Sequence, residues 1–72
     1  MNDGAIAEEA TRLAAGGVDF RTIELHLESK LGRHLQGTEG TALLAGWRAA
    51  GPARAERERN RAAKLAASAR ER

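Results

Sequence analysis

Apolar residues recur at helical spacing in three stretches of this chain, and nowhere do they alternate as a strand requires. In the first, Ile6, Ala10 and Leu13 stand at i, i+4 and i+7, a narrow stripe for one face of a helix. The pattern predicts a helix over 4–15 with Asp3 as its N-cap, because a carboxylate there accepts from exposed amides and meets the positive dipole end. Gly16-Gly17 ends it, since glycine takes the left-handed conformation that closes a helix. In the second, Phe20, Ile23, Leu27 and Leu31 share a face. Asp19 reads as the N-cap, Val18 and Ile23 as a hydrophobic staple, and Gly32 as the stop. Leu27 and Leu31 are expected in the core, while Leu25 falls on the opposite side. In the third, Leu43, Leu44 and Trp47 cluster on one side of a helix over 39–50, with Gly37 as a break and Thr38 as the cap. Gly40 and Gly46 each cost such a helix up to ~1 kcal/mol relative to alanine, which points to close backbone packing or a weak helix. Gly51-Pro52 reads as a firm stop.

Beyond Pro52 the pattern disappears. Residues 53–72 are built from alanine, arginine, glutamate and lysine, and Leu65 is their one large apolar residue. Those residues favour a helix, but one that is polar nearly all round is marginal without packing. The expectation is an arm that is frayed, or helical once a partner is bound. The chain thus reads as all-α, a three-helix, helix-turn-helix-like head over 3–51 and a basic arm over 53–72.

Charge sharpens this division. Residues 1–52 hold five Lys and Arg against seven acids, a net −2, whereas residues 53–72 hold seven against three, a net +4. An acidic head and a basic arm imply different partners for each. On a helix, Arg54, Arg57, Arg61 and Lys64 fall at i, i+3, i+7 and i+10, one stripe able to follow a phosphate backbone. Arginine adds a bidentate fork for phosphate. The acids interspersed in the arm dilute this, and a plain solvated tail has the same composition. No aromatic is interleaved with the basic residues, which argues against base stacking.

With 72 residues, one small domain plus a tail is the limit, and such a core rarely supplies more than ~3–5 kcal/mol. No cysteine is present to add a disulfide, which fits a reducing cytoplasm. No apolar run approaches the ~20 residues of a membrane span. Met1-Asn2-Asp3-Gly4 lacks the basic and apolar regions of a signal peptide. A cytoplasmic protein without a membrane partner is expected.

Residues 20–47 resemble the DEK C-terminal domain family, small three-helix modules that bind DNA. The run Leu27-Glu28-Ser29-Lys30-Leu31-Gly32-Arg33-His34-Leu35-Gln36-Gly37, followed by Leu43 and Trp47, carries the resemblance. The family has an aspartate at the position of His34 and basic residues at those of Thr38 and Glu39, so what the resemblance implies is chiefly a helical topology. Gly17, Val18 and Ile23 are also spaced like the turn and following core position of a helix-turn-helix, though Leu13 stands where a small residue is usual.

Catalytic constellations are not evident. There is no cysteine nucleophile and no G-x-S-x-G elbow, and Ser29 and Ser68 have no general base at a plausible spacing. Gly37-Thr38-Glu39-Gly40-Thr41 lacks the lysine of a phosphate-binding loop. His26 and His34 are eight apart, against the i, i+4 spacing of a helical metal pair, so no metal, cofactor or small-molecule substrate is expected. Trp47, Leu25 and Leu44 remain as residues that either fill the core or contact a partner. The sequence therefore points to a non-enzymatic regulatory protein associated with nucleic acid, in transcription, whose arm contacts phosphates. The alternative is an accessory factor or inhibitor, of the kind phages and plasmids encode, that docks on a large host enzyme such as RNA polymerase.

Overall fold

A computed structural model of the chain describes residues 1–70, with side chains through Ser68. The last two positions of the expected arm, Glu71 and Arg72, lie outside the described residues. Four helices follow one another among these residues: α1 (Asp3–Ala15), α2 (Phe20–Leu31), α3 (Thr38–Ala49) and α4 (Gly51–Arg70).

The ends of α1 show how short-range chemistry sets the boundaries. Asn2, rather than the expected Asp3, is the N-cap: it is extended, and its Oδ1 accepts from the Ala5 amide at 2.8 Å. Asp3 sits one residue inside, where its charge still favours the positive end of the dipole. At the other end Gly17 is left-handed, with φ +96°. The Val18 amide donates to Leu13 and the Gly17 amide to Ala14, at 3.0 and 3.1 Å, a Schellman turn that satisfies two otherwise free carbonyls.

Asp19 caps α2 as expected, accepting from the Thr22 amide at 3.0 Å, and Gly32 ends it at φ +74°. Ile23 and Leu27 are fully buried. Leu31 does not join them; it is half-buried, packed against the rim of the core. The link to α3 is pinned by carboxylates. Glu28 accepts from the Leu35 amide at 3.1 Å. Glu39 takes both nitrogens of the Arg33 fork, at 2.6 and 2.8 Å, and the Gln36 amide at 2.9 Å. The expected Thr38 cap is absent: Gly37 holds the N-cap position with φ +54° and no side-chain cap bond. Glu39 reaching back to Gln36 does part of that work, because a carboxylate can satisfy an amide ahead of the helix.

The helix packed most extensively on α1 is α3. Small residues are buried on both, Ala10 and Ala14 on α1, Ala42 and Gly46 on α3, and Ala50 at the C-cap of α3. A Cβ placed on Gly46 would overlap the Ala7 carbonyl and lie 2.7 Å from the Ala10 Cβ. Gly46 is therefore glycine because the two backbones touch there. Leu43 is buried beside this crossing, but Leu44, expected on the same apolar side, is 38% exposed.

Gly51-Pro52 is the beginning of a helix and not the stop its composition predicts. Only Ala50 separates α3 from α4. Proline suits the first turn, where its missing N–H would be unpaired anyway and its fixed φ is already helical. The 20-residue α4 is about 30 Å long at 1.5 Å per residue, and it draws the molecule out to 51 × 20 × 13 Å. It is a continuous helix where an arm either frayed or made helical by a partner was expected, and residues 55–68 are exposed.

Candidate functional site

The base of α4 is fastened to the head through Trp47. The Arg54 guanidinium lies over the Trp47 ring at 3.8 Å from its centroid, within the range of a cation–π contact. One Arg54 nitrogen donates to the Trp47 carbonyl at 3.4 Å. The indole also meets α2: Phe20 and Trp47 pack with centroids 5.4 Å apart and planes at 89°, the T-shaped geometry that aromatic quadrupoles prefer. Trp47 thus joins α2, α3 and α4, and it is half-buried. Three residues further along α4, Arg57 crosses the α1–α2 turn. Its Nε lies 2.7 Å from where a Cβ on Gly17 would stand, so the absent side chain makes room for the guanidinium.

Between this part of α4 and the turn is an open cleft of about 260 Å³. Trp47, Arg54, Arg57, Arg61, Asp19 and Glu58 are among the residues that line it. The stripe expected from spacing is therefore divided. Arg54, Arg57 and Arg61 are brought to one cleft, with Arg54 committed to Trp47. Lys64 is one turn farther out, exposed and outside the cleft. Of the expected partner contacts, Leu25 (49% exposed) and Leu44 are free surface, whereas Trp47 is engaged in the stack.

Ion pairing separates the basic residues up to His34 from the later ones. Arg12, Arg21, His26, Lys30, Arg33 and His34 each lie within 4.0 Å of a carboxylate. Among the described residues Arg48, Arg54, Arg57, Arg59, Arg61 and Lys64 have no such partner. Glu9 anchors one group: it pairs with Arg12 on its own helix and, across to α2, with His26 at 3.3 Å and Lys30 at 3.7 Å. The Arg12 hydrogen bond is the main cause holding the Glu9 carboxyl below its ordinary range. The Arg33 fork likewise lowers Glu39 to about 2, and His34, at 3.1 Å, lowers Glu28. His26 and His34 therefore serve different carboxylates, and among the described residues no three ligand-type side chains converge.

Sequence reasoning placed the arginines on one face but missed what that face meets. Trp47 and Arg54 are separated by seven residues, two helical turns, and that spacing was the available signal for their stacking. Gly17 read as a helix terminator and as the turn position of a helix-turn-helix, and not as space for a guanidinium.

Compared with known proteins, the chain matches no family model, no curated protein and no solved structure. No helix among the described residues is long and apolar enough to cross a membrane.

Proposed function

We propose that this is a small non-enzymatic regulatory protein associated with nucleic acid, acting in transcription, with α4 as its phosphate-contacting element. The observation that carries the reading is the segregation of unneutralised charge. Among the described residues, the basic side chains from Arg12 to His34 lie beside carboxylates of the head, while Arg48 and those on α4 through Lys64 do not. Unpaired arginines on an exposed helix raise the local potential and favour a polyanion. With Arg54 held by Trp47, phosphate contact falls to Arg57, Arg61 and Lys64. The resemblance of residues 20–47 to a DNA-binding family is consistent with this assignment.

Fluorescence anisotropy with a labelled duplex over a range of salt tests it. Arg61→Gln with Lys64→Gln should reduce the slope of log affinity against log salt by about 1.8, near 0.9 for each lost contact. The loss should be similar for every sequence, since phosphate contacts carry no base information. Absence of wild-type binding at low salt refutes the proposal. The exposed Leu25, Leu44 and Leu65 favour the second reading, docking on a large nucleic-acid-processing protein such as RNA polymerase, which would then lead.

A further inference from the structure

We infer that the cleft between α4 and the α1–α2 turn is a seat for a single phosphodiester of a nucleic-acid strand, gripped by Arg57 and Arg61 against Trp47. The inference rests on the nucleic-acid reading above and narrows it from a helical stripe to one built site.

Size is the first argument. At about 260 Å³ the cleft is below the ~300–1,000 Å³ that encloses a whole organic ligand. It can take one group of a longer molecule, and its open side lets the remainder of a strand run out.

Charge is the second. Arg54, Arg57 and Arg61 line the cleft together with Asp19 and Glu58, three positive groups and two negative, which leaves a net +1. A phosphodiester carries a single negative charge, so it balances the site. A terminal phosphate or a triphosphate would bring surplus negative charge close to the two carboxylates. Asp19 is in addition committed to the Thr22 amide, and that hydrogen bonding with Thr22 holds its carboxyl below the ordinary range.

Preorganisation is the third. Arg57 is already laid across Gly17, in space that any side chain there would occupy. The Arg54 Nε is buried without a hydrogen-bond partner, and its guanidinium is fixed on the indole. A planar fork held in place loses less freedom on meeting a phosphate than a mobile one. By contrast Lys64 is a solvated point charge outside the cleft.

Trp47 supplies the readout. It is the only tryptophan in the chain and lines the cleft, so occupancy should alter its emission. The experiment titrates the full chain at low salt with an unlabelled single-stranded oligonucleotide, following Trp47 fluorescence, and in parallel a labelled one, following anisotropy. A separate arm uses inorganic phosphate at constant ionic strength. The variants are Arg57→Gln with Arg61→Gln and, as a charge-matched comparison outside the cleft, the pair Arg48→Gln with Arg59→Gln. Far-UV circular dichroism checks that each stays folded. The expected result is a Trp47 change that follows the anisotropy, at least a tenfold weaker affinity in the cleft pair than in the comparison pair, and little response to inorganic phosphate. If anisotropy reports binding while Trp47 emission stays constant, or if both pairs weaken binding equally, the seat is refuted and the broader function stands. If no oligonucleotide binds, the broader function fails. A Trp47 response to inorganic phosphate alone, lost in the cleft pair, would then reassign the site to free phosphate and overturn the phosphodiester proposal.

Discussion

Replacing Gly46 with alanine should destabilise the protein although alanine is the better helix former. In an open helix the exchange would gain up to ~1 kcal/mol. At Gly46 the new methyl would overlap the Ala7 carbonyl and come within 2.7 Å of the Ala10 Cβ. Neither neighbour is a flexible side-chain end that can rotate away, so α1 and α3 must separate. Overpacking costs about 1–3 kcal/mol and occasionally more; with backbone in the way the upper part of that range applies. Separation also loosens the Thr11 hydroxyl from the Gly46 carbonyl, at 3.3 Å. The net loss is about 2 kcal/mol after the propensity gain is subtracted. For a chain of this size that lowers Tm by roughly 8–16 °C. Gly40 provides the comparison: a Cβ there meets nothing within 4 Å, so Gly40→Ala should be neutral or stabilising by up to ~1 kcal/mol. Urea and thermal unfolding followed at 222 nm measure both. A Gly46→Ala protein as stable as wild type, or two variants that move in the same direction, would refute the close crossing.

Leu27→Ala removes a fully buried side chain and should cost on the order of 2–5 kcal/mol, enough to unfold much of the population, as circular dichroism at 222 nm would show. Arg54→Gln removes the cation from the Trp47 face; it should lower stability by about 0.5–2 kcal/mol and shift Trp47 emission, and an unchanged spectrum would contradict the stacking. Acid titration tests the α2–α3 link: the Glu39 carboxyl is depressed from 4.5 to about 2, so its contribution is complete above pH 4.5 and is lost as pH falls towards 2. Carboxyl carbon NMR should place its titration there, and Arg33→Gln should move it back up.

The helices were legible wherever a local signal sufficed. Asp19, Gly32 and the stripe of Ile23 and Leu27 gave α2 in full, because cap, stop and period agree. Gly51-Pro52 misled because the same dipeptide suits a helix end and a helix beginning, and which one forms depends on whether the next segment has something to pack on. That something is Trp47, two turns before Arg54, and a pattern reading of apolar residues does not register a guanidinium as a packing group. The α1–α3 crossing was hidden for a related reason: Ala42, Gly46 and Ala50 repeat every four residues, but small side chains contribute little to a hydrophobic stripe. For the candidate site, spacing identified Arg54, Arg57 and Arg61 as neighbours. The cleft itself depends on the α1–α2 turn coming beside α4, a tertiary fact with no local signature.

Among the described residues, half of the eight buried apolar ones are alanines, and this governs how the protein responds to temperature. The heat-capacity change of unfolding grows with the apolar area newly exposed to water, and an alanine exposes little. The free-energy curve of this chain should therefore be shallow, its melting transition broad and its loss of structure on cooling slight. Close fit between backbones, and not the quantity of hydrocarbon withdrawn from water, holds α1 to α3.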